Sequence, residues 1–187
     1  MIEELLTKDG FYDRLYQLRV TQEDLDRVNT EITPLYLGGQ WFHNMVKKKY
    51  HKQYKSRKDA MQSYFRTVQE FRADSLKDVL SHQLVRFTIT GNSFAYNQIR
   101  KMLSSVVEVA SLGGDIEILK RSFDSKVMKH NNNVPAHGLI LWRAYFDEYN
   151  ARVRKNFEQG GMEKCYEIDL SPQILQEMEL MRDSIVP

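Results

Sequence analysis

Residues 84–90 (LVRFTIT) alternate apolar and polar side chains, Gly91 and Asn92 form a turn pair, and residues 93–111 then carry apolar groups at helical spacing. This run constrains the fold more than any other. Val85, Phe87 and Ile89 share one face of the strand and Arg86, Thr88 and Thr90 the other, so one side faces a core. Ser93 is placed to cap the long helix, and Gly113 and Gly114 to end it. Upstream, Thr21 with Asp24 three residues on is a capping pair, followed by Leu25, Val28 and Ile32 at helical spacing until Pro34. Residues 66–71 read as a short strand, 116–123 as a second helix and 131–136 as a loop. Residues 138–146 (GLILWRAYF) are apolar enough for a strand covered on both faces, and Ser171 followed by Pro172 opens a last helix over residues 172–183. Together these elements predict an α+β fold, an antiparallel sheet with packed helices.

Composition supports a real core, with 187 residues of which 42% are hydrophobic, and excludes disorder of the whole chain. No stretch approaches the roughly 18 to 20 apolar residues of a membrane helix, so no membrane partner is expected. The first ten residues, MIEELLTKDG, carry acids where a secretory signal carries lysines, so the expected setting is intracellular. The single cysteine, Cys165, cannot form an internal disulfide and has no cationic cluster beside it in sequence, which leaves a plain thiol. His130 and His137 flank an asparagine loop without further ligands, so no metal site is expected.

The net charge of +2 conceals an uneven distribution: residues 1–146 hold 22 Lys/Arg against 16 Asp/Glu, and residues 147–187 hold 5 against 9. The stretch at 45–58 (MVKKKYHKQYKSRK) has no acid, includes Lys47, Lys48, Lys49 and Lys52, and interleaves Tyr50 and Tyr54. Such a patch suits phosphate neutralisation with aromatic rings on sugars or bases; a solvated basic surface is the other reading.

On the long helix, Tyr96, Arg100, Leu103 and Val107 fall on one face and Ile99, Met102, Val106 and Ala110 on the adjoining one. Arg100 is thus flanked by apolar positions, and its neighbours three and four residues away (Tyr96, Asn97, Leu103, Ser104) include no acid. Either its guanidinium meets a carboxylate from elsewhere, or it snorkels to solvent along the helix edge.

The segment FTITGNSFAYNQIRKMLSSVVEVASLGG, residues 87–114, resembles the C-terminal motif of TruA-type tRNA pseudouridine synthases, the eukaryotic synthase 1 branch most of all. The matching positions are Gly91, Ser93, Phe94, Gln98, Ile99, Arg100, Lys101 and Met102. Upstream, YLGGQWFHNMVKKK is similar to the family's Gly-Thr-x-x-Phe-His-Asn-Phe segment through Gly38, Phe42, His43 and Asn44, with Gly39 in place of threonine and Met45 in place of phenylalanine. Downstream, Pro135, Gly138, Leu139, Leu141, Tyr149 and Asn150 follow the family's Ala-Pro-x-x-Gly-Leu-x-Leu strand and Tyr-Asn. The resemblance covers about residues 20–150 in family order. It implies isomerisation of uridine to pseudouridine in tRNA without a cofactor, by a base-flipping enzyme. It also implies that Arg100 pairs with the catalytic aspartate and that Phe94, Gly138 and Leu139 help wall the uridine pocket. Beside it, Lys47, Lys48, Lys49, Lys52 and Lys101 are read as RNA-binding, and His43 and Asn44 either touch RNA at the cleft rim or form a capped turn after the helix that ends near Pro34.

The family's Arg-Thr-Asp or Arg-Ser-Asp segment belongs to its N-terminal half and has no counterpart here; Arg72-Ala73-Asp74 is the look-alike, with Asp74 read as a loop acid. The expectation is therefore the C-terminal half of the catalytic domain over residues 1–150, inactive alone and partnered by the N-terminal half, with a helical extension over 151–187. The acidic extension suits packing better than phosphate contact. The alternative is a stand-alone, non-catalytic RNA-binding or scaffold paralogue. Nucleus and mitochondrion both fit the resemblance.

Overall fold

The computed structural model describes residues 19–46, 62–79, 82–111, 114–124, 126–127, 131–158 and 166–185. The chain divides into two compact units, Met1–His137 and Gly138–Pro187. In the first, a three-stranded antiparallel sheet runs in the order β1 (Gly38–Trp41), β2 (Phe65–Val79), β3 (His82–Gly91). Helices α1 (Gln22–Arg27), α2 (Gln98–Ser111) and α3 (Ile116–Arg121) belong to the same unit. The core joins Leu25, Val28, Ile32, Tyr36, Phe42, Val68, Phe71, Met102, Val106 and Leu119, with Val85, Phe87 and Ile89 packed against it. The alternation of β3 therefore does what its pattern predicts, turning its apolar face inward.

Thr21 caps α1 through a reciprocal box with Asp24, whose carboxyl is held below its ordinary value by the Thr21 backbone and hydroxyl hydrogen bonds. The expected single helix up to Pro34 is not regular, however. After Arg27 the winding loosens to a π segment over Val28–Ile32 and tightens to a 3-10 turn over Thr33–Tyr36, with Pro34 inside that turn. Asn29, in the π segment, donates to Ala73 O at 2.9 Å and accepts from Ala73 N at 2.8 Å. That exchange satisfies the β2 backbone beside a bulge, because the β2–β3 register slips between Ala73 and Ser75 and leaves Asp74 as the extra residue.

Three elements differ from expectation. Strand β2 covers 15 residues rather than the short run at 66–71. Asp74 is no loop acid: it lies in β2 with its side chain 4% exposed, contacting Arg72, Thr88 and, at 3.7 Å, Arg86. Helix α2 begins at Gln98 rather than after Ser93, because Asn97 adopts φ 67°, where the left-handed backbone interrupts a helix, and its carbonyl accepts the first helical bond from Lys101 N at 3.1 Å.

In the second unit, α4 (Asp147–Glu158) begins four residues before the helical extension expected over 151–187, and α5 (Pro172–Ile185) starts at the expected proline. Residues 138–146, expected as a doubly covered strand, form no strand, and Leu139, Ile140, Leu141 (87%) and Tyr145 are exposed. An apolar run becomes a strand only with a partner ladder, and it has none among the described residues. Asn150 closes the unit's own fold by donating to Ile168 O at 2.7 Å and accepting from Ile168 N at 2.8 Å. No helix of the described residues is long and apolar enough to cross a membrane.

Candidate active site

The site is built on the turn between β3 and α2. Gly91 ends β3 where a Cβ would lie 2.7 Å from Thr67 O and 2.9 Å from the Phe94 ring, so this position has no room for a side chain. Phe94, half-buried, packs against the core beneath it. Ala95 N donates to Gln98 Oε1 at 2.9 Å, which ties the turn to the first residue of α2.

The face of α2 that reaches the core differs from the apolar reading. Its buried stripe is Gln98, Lys101, Met102, Ser105, Val106 and Val109, half of it polar, whereas Val107 and Tyr96 are exposed. The buried polar groups are satisfied: Gln98 as above, Lys101 Nζ by donating to Val46 O at 3.0 Å, and Ser105 by donating to Lys101 O at 3.0 Å. Met102 O in turn accepts from the buried Tyr36 hydroxyl at 3.3 Å, and burial pushes that phenol well above its ordinary value.

This rotation leaves Arg100 half-buried at the edge of the stripe. Its Nε donates to Val134 O at 2.7 Å and its Nη1 to Asn97 Oδ1 at 3.2 Å. Val134 N also donates to Arg100 O at 3.4 Å, clipping the 131–137 loop to the helix. A guanidinium carries five N–H donors, so three remain along its Nη1 and Nη2 end, the fork that pairs bidentately with a carboxylate. Among the described residues no carboxylate forms an ion pair with Arg100. Among the described residues the side chain is thus held by two neutral acceptors.

The other expected residues are placed as follows. His43 and Asn44 are buried rather than on an RNA-facing rim. Asn44 Nδ2 donates to Ser122 O at 2.7 Å and Val127 O at 2.9 Å, while His43 Nε2 meets Val127 O at 2.8 Å and Nδ1 meets Trp41 O at 3.2 Å. The pair therefore anchors the turn after α3. Lys101, also expected to meet RNA, is buried with its amine on the Val46 carbonyl. Gly138 and Leu139 are exposed within the second unit. Lys47, Lys48, Lys49 and Lys52 lie outside the described residues, as do His130 and Cys165. Gly39, where the family segment has threonine, faces the Phe65 ring, which a Cβ there would meet at 2.5 Å.

The opposite face of the sheet holds an ionic ladder that sequence reasoning missed. Arg72 bonds Glu70 at 2.6 Å and contacts Asp74, and Thr90 donates to Glu70 at 3.1 Å. The Arg72 hydrogen bond, helped by Thr90, holds the Glu70 carboxyl below its ordinary value. The alternate spacing of Glu70, Arg72 and Asp74 was the available signal, and the bulges disguise it.

Comparison with known proteins follows the same residues. The chain is 28% identical over 146 residues to "tRNA pseudouridine synthase 1" of Yarrowia lipolytica, covering 78% of this chain and 26% of that protein. It is 28% identical over 134 residues to "Pseudouridylate synthase 1 homolog" of Mus musculus, covering 72% and 29%. Over a shorter span of 83 residues it is 32% identical to "tRNA pseudouridine synthase 2" of Schizosaccharomyces pombe, covering 44% and 18%. The chain thus spans less than a third of the length of each of these relatives. Residues 34–147, which include β1 to α3, Arg100 and the 131–137 loop, match the family model described as tRNA pseudouridine synthase, and the chain belongs to that family.

Proposed function

We propose that this chain is the C-terminal half of the catalytic domain of a tRNA pseudouridine synthase, with a helical extension, and that Arg100 is its contribution to the reacting centre. In that isomerisation the N1–C1′ bond of a uridine breaks and the base turns. A C5–C1′ bond then forms, C5 releases its proton and N1 gains one, so the reaction balances without a cofactor. A flipped uridine offers its ribose to an aspartate, and a fixed cation beside that carboxylate keeps it ionised and aimed in a closed pocket. The observation that carries the reading is the restrained, carboxylate-ready end of Arg100, set in the Gln98 to Met102 motif of a family member.

On this reading the aspartate belongs to an Arg-Thr-Asp or Arg-Ser-Asp segment, which does not occur in these 187 residues. Phe94 contributes a wall of the uridine pocket, and Lys47, Lys48, Lys49 and Lys52 neutralise tRNA phosphates. Nucleus and mitochondrion are the proposed compartments. The test is genetic. Carbodiimide mapping of tRNA from cells lacking the gene is expected to show pseudouridine lost at particular positions, restored by the wild-type gene and not by Arg100→Ala. A tRNA pseudouridine pattern unchanged by the deletion contradicts the proposal.

A further inference from the structure

Asn97 is the one non-glycine residue with positive φ among the described residues, at 67°. Asparagine tolerates that region better than most side chains, yet it remains a costly place for a residue with a Cβ, and such outliers point toward function when the surroundings hold them. Two bonds hold this one. The Asn97 carbonyl takes the first helical hydrogen bond, from Lys101 N at 3.1 Å, and its side-chain oxygen takes Arg100 Nη1 at 3.2 Å. The left-handed turn thus lets one residue start α2 and bring its amide back to a side chain three residues later. A helical φ at position 97 would carry the turn on and change the direction of that amide.

We propose that Asn97, together with the Val134 carbonyl, is a positioning residue that fixes the guanidinium of Arg100 and leaves its Nη1 and Nη2 end open to a carboxylate. The assignment rests on the reading of Arg100 given above. A neutral acceptor suits the task. Asn97 restrains the arginine without neutralising it, so the full charge remains for the incoming aspartate, whereas a carboxylate at position 97 would compete for the same fork. The bond from Arg100 Nε to the Val134 carbonyl alone leaves rotation about the last side-chain bonds; the Asn97 contact on Nη1 stops it.

The experiment compares Asn97→Gly and Asn97→Asp with the wild type in the full-length protein, measuring tritium release from tRNA labelled at uridine C5, and the Arg100 Nε–Hε NMR signal. Glycine adopts the same φ without strain, so Asn97→Gly retains the fold while removing the acceptor. The expected result is kcat lowered about tenfold with KM within about twofold, as for a displaced catalytic partner. The Arg100 Nε–Hε signal broadens in the same variant. Asn97→Asp, of the same shape, keeps a sharp signal but loses at least as much kcat, because its charge captures the guanidinium. Wild-type kcat in both variants overturns the proposal, since a purely structural role predicts tolerance of each. If Asn97→Gly does not fold, the isosteric Asn97→Asp decides alone. If the wild-type protein forms no pseudouridine, the functional reading fails, and an unchanged Arg100 signal in Asn97→Gly then overturns the positioning role separately.

Discussion

Asn44 commits both amide hydrogens to carbonyls 78 and 83 residues away, at Ser122 and Val127, and His43 shares the second of these. Both partners of the His43 ring, Val127 O and Trp41 O, are carbonyl oxygens that only accept, so a ring nitrogen bonds either one only where it carries hydrogen. Removing the amide leaves buried acceptors unpaired. Asn44→Ala is expected to cost about 1 to 3 kcal/mol in urea unfolding, and unaltered stability would show the turn to be held by other means. Lys101 makes the complementary case. Its amine lies on Val46 O, so Lys101→Met is expected to leave the salt dependence of tRNA binding as it was. Replacing Lys47, Lys48 and Lys49 is expected to flatten that dependence by about one slope unit per lost phosphate contact, measured as log Kd against log salt. A motif names His43, Asn44 and Lys101 in the sequence, but the carbonyls that absorb them belong to distant segments. The RNA-facing reading of these three residues therefore gives way to tertiary packing.

Between elements, the junction from β3 to α2 depends on Gly91, whose Cβ position is filled by Thr67 O and the Phe94 ring. Gly91→Ala is expected to destabilise by about 1 to 3 kcal/mol through forced displacement of backbone, read as a lower urea midpoint. The ladder on the outer face of β2 and β3 gives a pH signature. Arg72 and then Thr90 hold Glu70 below the ordinary carboxylate value, so its stabilisation is present above the unfolded value near about pH 4 and is lost as pH falls through the folded one. Glu70→Gln is expected to flatten the acid limb of the stability curve; an identical limb would show the pair to be energetically silent. The alternation of β3 was readable because each inward side chain is apolar and each outward one polar. Strand β2 was readable only over 66–71, since the bulge at Asp74 breaks its period farther on and its outward side is held by ions. In α2 the inward stripe includes Gln98, Lys101 and Ser105, and an apolar pattern cannot reveal polar groups satisfied by the turns beside them. The start of α2 was hidden for a related reason: the sequence offers Ser93 as a cap, but the positive φ of Asn97 sets the boundary.

For the molecule as a whole, the compact units divide at His137, whereas the charge pattern placed the change after residue 146 and the motif boundary at 150. The family match runs across that division, from 34 to 147, so the exposed apolar run at 138–146 belongs to the family's sequence although it pairs with no strand among the described residues. Its composition was legible and its environment was not, because a strand's pairing is a property of the neighbour. The resemblance, by contrast, was carried by ordered motifs and survives the local corrections: a strand ending at Gly91, a turn through Phe94 and a helix opening on Gln98 follow one another within the family match. The most direct measurement is tritium release from tRNA labelled at uridine C5 by the full-length protein, comparing wild type with Arg100→Ala. A fall in kcat of at least about a hundredfold, with tRNA affinity within about twofold, is predicted for loss of a fixed charge that serves the reacting carboxylate. Undiminished turnover by Arg100→Ala would contradict it.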